Sequence, residues 1–240
     1  MIYGTRAVIE AIHAGKQIEK IMIQSGLTND LIKELINVAR EHKMPYTFVP
    51  AEKLKRLSTK NHQGVICLLS SVSYSQLDNV IDKAFSSGRE PFLLILDRVT
   101  DVRNFGAISR TAECAGVDAI IIGEKGSAPI TSDAMKTSAG ALNHIAVCRE
   151  KELKQTLKQL RESGIKVIAC TEKTNNDIYN TEITGPVALI MGSEEDGISE
   201  PLLREADELV KIPMLGKIGS LNVSVAAGIA LYEIVRQRKK

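Results

Sequence analysis

From residue 92 onward the chain alternates short, unbroken apolar runs with helical patterns, and that alternation limits its fold more than any other feature. Strand patterns lie at 92–97, 118–122, 166–170, 187–191 and 208–212, and helical patterns cover 104–115, 150–163 and 220–238. Runs with no polar alternate belong to strands covered on both faces, and strands separated by helices pair in parallel. The expected fold class is therefore α/β with a parallel sheet. The longest run, Phe92-Leu93-Leu94-Ile95-Leu96, stops at Asp97. A membrane-spanning helix needs about 20 apolar residues, so none is expected. The first apolar stretch carries Arg6 and Glu10 and meets no small-residue cleavage site, so no secretory signal is expected.

Charge divides the chain. Residues 1–75 hold ten Lys/Arg against six Asp/Glu, while residues 76–240 hold 21 against 23. The change coincides with Ser70-Ser71-Val72-Ser73-Tyr74-Ser75-Gln76, whose composition is that of a linker. The expected layout is a small mixed α/β domain over 1–75, a linker over 76–90 and the larger domain over 91–240. Within the small domain, helical patterns cover 6–14 and about 29–42, and strand patterns cover 18–24, 46–49 and 64–68. Between the last two strands stand Lys53, Lys55, Arg56 and Lys60, with Asn61, His62 and Gln63 beside them. Taken alone, such a run is a solvated helix face. It becomes an RNA contact if other features point to RNA.

The four cysteines (Cys67, Cys114, Cys148, Cys170) and four histidines are dispersed and show no zinc-ligand spacing. The cysteines read as small buried hydrophobes in a reducing cytoplasm, and no metal is expected.

In parallel sheets ligands bind beyond the carboxyl ends of the strands, and three such ends here are rich in polar residues. They run over 97–112, over 191–199, and from Ile212-Pro213-Met214 to Ser220-Leu221-Asn222-Val223-Ser224-Val225-Ala226. Each has an ordinary structural explanation. Asn104 and Ser220 suit helix caps, Glu194-Glu195-Asp196 a solvated turn with Gly197 at positive φ, and Arg110 a helix surface.

In their order these residues resemble the three signature motifs of the SpoU family, the RNA 2′-O-ribose methyltransferases of the knotted SPOUT superfamily. The first motif runs from Asn through Gly to Arg, matched by Asn104, Gly106 and Arg110. The second, Gly-Ser-Glu followed by Gly, is matched by Gly192, Ser193, Glu194 and Gly197. The third, Ile-Pro-Met and then Ser-Leu-Asn-Val-Ser-Val-Ala, is intact. Upstream, Tyr3-Gly4-Thr5-Arg6-Ala7-Val8 and His62-Gln63-Gly64-Val65 resemble the ribosomal-protein-like substrate-binding domain of the branch that methylates guanosine in large-subunit ribosomal RNA. Val102 stands where the family often has Pro, and Glu195-Asp196 where a small residue commonly follows the motif-two Glu. Both departures read as changes of loop shape, and the added acid bears on how RNA approaches.

The resemblance implies a cytoplasmic homodimer with a C-terminal trefoil knot that binds S-adenosyl-L-methionine. It implies Arg110 as the central catalytic residue, Asn104 orienting the ribose or the arginine, and Glu194 holding either of them. Ser220 and Asn222 would line the substrate side. Thr171, Gly192, Ile212, Met214 and Leu221, with Glu172 nearby, would form the cofactor slot. RNA would meet Lys53, Lys55, Arg56, Lys60, His62 and Gln63.

The chemistry agrees with that assignment. A ribose hydroxyl attacks only as its proton leaves, no His or Cys lies in the three loops, and a guanidinium keeps its proton. Arg110 is therefore expected to clamp a phosphate and stabilise the developing alkoxide as a fixed cation. On the last helix, Leu221, Val225, Ile229 and Tyr232 form a stripe suited to a neighbour or to the chain's own sheet. Arg236, Arg238, Lys239 and Lys240 read as a solvated tail. The competing functions are ribose methylation of transfer RNA and a catalytically silent RNA-binding assembly factor. A phosphotransferase would need a Gly-x-x-x-x-Gly-Lys-Ser/Thr loop, which the chain lacks.

Overall fold

The computed structural model describes residues 1–239, which divide into two compact units. The first comprises Met1–Ser73 with Pro129–Ser132. Its four-stranded sheet contains β1 (Ile2–Tyr3), β2 (Ile18–Gln24), β3 (Tyr46–Val49) and β4 (Val65–Leu69), in the order β1-β4-β2-β3. Only β2 and β3 run parallel. Helices α1 (Thr5–His13) and α2 (Asp30–Glu41) pack with Ile21, Ile23, Val65 and Cys67. The alternate residues Met22, Val49 and Ile66 cluster with Leu54 of α3 (Ala51–Leu57). Both faces of this sheet are therefore covered.

Helix α3 contains the first part of the basic run read as a solvated helix face, and its seven residues contribute a single buried side chain, Leu54. Lys53, Lys55 and Arg56 are all exposed on it. The Lys60 ammonium lies 5.4 Å above the Tyr3 ring, and His62 Nδ1 accepts the Gly64 N–H at 3.0 Å. Gln63 holds φ 49°. His62 and Gln63 thus shape the turn into β4.

The second unit spans Tyr74–Ala128 and the chain from Asp133 onward. Six parallel strands, β5 (Phe92–Leu96), β6 (Ala119–Gly123), β7 (Ala146–Glu150), β8 (Lys166–Cys170), β9 (Val187–Met191) and β10 (Glu208–Val210), stand in the order β10-β8-β9-β5-β6-β7. One face, with Leu93, Ile95, Ile121, Val167, Ala169 and Ile190, packs on α4 (Leu77–Ser86), α7 (Leu153–Glu162) and α8 (Glu200–Leu203). The alternate residues Leu94, Ile120, Ile168 and Leu189 are fully buried too. On α5 (Val102–Cys114) and α9 (Val223–Arg238), which pack together, Phe105, Ile108, Ala227, Leu231 and Ile234 are completely enclosed. A short helix, α6, covers Ser132–Thr137. No helix among the described residues is long and apolar enough to cross a membrane.

Three expectations change. Residues 76–90 are not an open linker: they form α4, which buries Leu77, Ile81 and Ala84 at helical spacing. The edge strand β7 was missed, since Arg149 and Glu150 stay half-buried and break its apolar run. The C-terminal cations are not a free tail. Arg236 makes two hydrogen bonds to buried Glu233 at 2.8 and 2.7 Å. Arg238 donates to the Glu90 carbonyl at 2.7 Å and lies over the Phe92 ring. Lys240 lies outside the described residues.

Cys67 and Cys148 are buried, Cys170 is half-buried and Cys114 is exposed, so the last departs from expectation. Burial pushes the thiols of Cys67, Cys148 and Cys170 from 9.0 up to about 12. Native protein titrated with a disulfide reagent near neutral pH is expected to show one fast thiol, Cys114, and four after unfolding. The raised values also set a sign for stability. Their contribution is full below pH 9.0 and is lost as pH rises toward about 12. A second fast thiol would contradict the burial of Cys170.

Candidate functional site

The carboxyl ends of β8, β9 and β10 are neighbours in the sheet, and the three loops leaving them enclose a cavity of about 430 Å³. Its walls come from 170–172, 191–197, Lys211, Ile212 and Met214, and from Gly219, Ser220, Leu221, Val223 and Ala226. Thr171, Glu172, Gly192, Ile212, Met214 and Leu221 all line it. So do Ser193, Glu195, Asp196 and Lys211, none of which was expected among the cofactor contacts.

The loop after β9 turns back on itself. Ser193 and Gly197 exchange two backbone hydrogen bonds at 3.1 Å, and Gly197 has φ 66°. Gly192 permits this closure: a Cβ there would stand 2.1 Å from the Gly197 carbonyl carbon. The glycine is required by backbone proximity.

Two cap assignments differ from expectation, and the difference builds the site. Asp101, not Asn104, caps α5, its Oδ1 accepting the Asn104 N–H at 2.8 Å. Asn222, not Ser220, caps α9, its Oδ1 accepting the Ser224 N–H at 3.0 Å and the Ser224 hydroxyl at 2.5 Å. The cap determines which way the Asn222 amide points. Its NH₂ group then donates to Glu194 Oε1 at 2.6 Å and to Asn104 Oδ1 at 3.1 Å. All the amide's polar capacity is used inside the protein. Asn222 is therefore a hub that aims two other side chains, and it does not itself line the cavity. Asn104 Oδ1 is thereby engaged, which leaves its NH₂ group to donate elsewhere, and Glu194 keeps one carboxylate oxygen in hand. Ser220 lines the cavity.

Arg110 is the exception. It lies six residues beyond Asn104 on α5, about 9 Å along the axis and on another side of the helix. It is exposed and does not line the cavity. Asn104, Glu194, Asn222 and Ser220 come together within one chain, and Arg110 stands apart from them.

This site suits S-adenosylmethionine. Ile212, Leu221 and Val223 supply an apolar wall, Gly192 lets the main chain approach closely, and Glu172, Glu194 and Glu195 outnumber Lys211. That carboxylate excess complements a ligand carrying a sulfonium and an ammonium group. No group of three His, Cys, Asp or Glu among the described residues is placed to hold a metal.

A parallel α/β domain with its site at the strand ends and a separate basic unit defines the class. The comparisons define the family. Residues 91–232 match the family described as SpoU rRNA Methylase, and residues 1–75 match the domain described as RNA 2′-O ribose methyltransferase substrate binding. YacO of Bacillus subtilis (strain 168), assigned to the TrmH family of tRNA/rRNA methyltransferases, is 34% identical over 99% of this chain and 95% of its own. An AdoMet-bound rRNA methyltransferase from Sinorhizobium meliloti superposes with a TM-score of 0.63 at 26% identity, covering 95% of this chain and 84% of its own. The SpoU methyltransferase AviRb from Streptomyces viridochromogenes, in complex with AdoMet, gives 0.61 at 25% identity over 98% and 89%. The chain belongs to the SpoU methylase family and is an S-adenosylmethionine-dependent RNA 2′-O-methyltransferase.

Proposed function

We propose that the protein methylates the ribose 2′-oxygen of a guanosine in large-subunit ribosomal RNA, acting in the cytoplasm as a homodimer with the C-terminal chain threaded as a trefoil knot. The observation that carries the reading is the Asn104–Asn222–Glu194 cluster beside the cavity at the ends of β8–β10. The cofactor supplies an electrophilic methyl group on a sulfonium. The protein's task is to place a ribose hydroxyl in line with it and to favour loss of its proton. The Asn104 NH₂ group and the remaining Glu194 oxygen hold the ribose. Thr171, Gly192, Ile212, Met214 and Leu221 hold the cofactor, with Glu172 beside them. Arg110, always a cation, clamps a phosphate and stabilises the alkoxide, and the proton leaves to that phosphate or to water.

Arg110 stands outside the cavity of its own chain. On α9, which packs with α5, Val225 and Tyr232 are about half exposed, and Leu221 just ahead of it is 37% exposed. The dimer we propose covers this stripe and carries Arg110 of one protomer toward the site of its partner.

The ribosomal target is supported by the N-terminal unit, which matches a dedicated substrate-binding domain and presents Lys53, Lys55, Arg56 and Lys60 to solvent. His62 and Gln63 order the adjoining turn. Replacing Lys53, Lys55 and Arg56 together with Ala is expected to weaken RNA binding and reduce its salt slope by about 2, near 0.7 per lost phosphate contact. Cofactor affinity should stay unchanged. An unaltered slope would place the RNA elsewhere.

The deciding assay supplies methyl-labelled S-adenosylmethionine with unmodified ribosomal and transfer RNA transcripts. Label in alkali-resistant dinucleotides from ribosomal RNA, with guanosine at the 5′ position, is the expected result. Label in transfer RNA would move the substrate class, and label in mononucleotides would mean base methylation. No label with cofactor bound would favour the silent RNA-binding reading.

A further inference from the structure

We propose that Arg98 is a positioning residue that clasps the Ser193–Gly197 turn and so preforms the cofactor pocket. The inference rests on the cavity at the ends of β8–β10 being the S-adenosylmethionine site. Arg98 stands two residues beyond the end of β5, and its guanidinium reaches across 98 positions of sequence to donate from Nη1 to Asp196 Oδ2 at 3.0 Å. Its Nη2 donates to the Gly197 carbonyl at 3.2 Å, an oxygen that already accepts the Ser193 N–H. One planar fork therefore grips both the acid and the backbone closure of the turn. The neighbouring Asp97, 5% exposed, accepts the Ser199 N–H at 2.7 Å and pins the other end of the loop.

Two further observations mark Arg98 as held in place. Its backbone has φ 58°, a left-handed conformation uncommon for any residue but Gly. Its Nε is buried without a hydrogen-bond partner, 3.5 Å from Asp97 Oδ1. Strain of both kinds persists where surrounding contacts over-determine the geometry. The clasp also accounts for the added acid after Glu194, since Asp196 is the clasp's second half. Its carboxylate meets a cation of the same chain, so its effect falls on the loop before any effect on RNA.

The test compares full-length wild type with Arg98→Gly, Arg98→Lys, Asp196→Ala and the Arg98→Gly/Asp196→Ala double variant. Titration calorimetry with S-adenosylmethionine should show Arg98→Gly binding about three- to tenfold more weakly, as befits one exposed ion pair and one hydrogen bond. At saturating cofactor kcat should stay within about twofold, so that the loss falls on KM. Arg98→Lys should recover part of the affinity. The double variant should bind no worse than Arg98→Gly, since Asp196 acts through Arg98. Glycine suits the backbone of residue 98, so the melting temperature of Arg98→Gly should hold or rise while amide exchange at Ser193 and Gly197 quickens. Wild-type affinity and exchange in Arg98→Gly would overturn the clasp, as would a fall in affinity that merely follows a fall in melting temperature. Unchanged binding in Gly192→Ala would instead overturn the pocket assignment, whatever Arg98 does.

Discussion

Arg110→Ala is expected to lower methyl transfer by about 10²- to 10³-fold, the cost of removing one fixed group that stabilises developing negative charge. Cofactor affinity should stay near wild type, because Arg110 does not line the cavity. The fold should also be indifferent, because the side chain is exposed. Single-turnover rates and calorimetry on the same sample read the two effects separately. Turnover at the wild-type level would remove Arg110 from the reaction.

The variant also tests the dimer. Mixing Arg110→Ala chains with Gly192→Ala chains pairs an intact pocket lacking its own arginine with a spoiled pocket whose arginine is present. If the arginine crosses to its partner, the mixed dimer regains one working site. If it serves its own chain, both sites stay dead.

Gly192→Ala carries the other large effect. The added Cβ would lie 2.1 Å from the Gly197 carbonyl carbon, 2.3 Å from the Ile198 nitrogen and 2.4 Å from the Gly197 oxygen. Backbone atoms cannot rotate aside as a side-chain tip would, so the Ser193–Gly197 closure must open. The expected loss of cofactor affinity is at least about 100-fold, with about 1–3 kcal/mol of stability lost to overpacking. Calorimetry with S-adenosylhomocysteine and a thermal melt measure both. Tight binding by this variant would show that the cavity is not where the cofactor sits.

Local pattern carried most of the architecture. In β5 every residue is buried, and burial on both faces of a sheet leaves an unbroken apolar run, which a linear sequence displays directly. Helix α5 declared itself through the spacing of one buried side, whereas on α9 the apolar stripe read from the sequence includes Val225 and Tyr232, which the fold leaves half exposed. The motif residues around the cavity were legible because each sits at a strand end or in the turn just beyond it. Helix α4 was legible in principle, yet its three buried positions lay inside a stretch whose polar approach suggested a linker.

The division of labour inside the site was decided by tertiary structure alone. Asn104 and Asn222 are 118 positions apart, and either was a good helix cap by residue type. Which one caps, which one aims its neighbours and which one faces the substrate depend on where two helices and a turn meet in space. The same holds for Arg98, an unremarkable surface cation by sequence that only the folded chain brings to Asp196 and Gly197. Periodicity records what each segment buries. The partner of a polar atom is set by distance, and distance across the chain belongs to the fold.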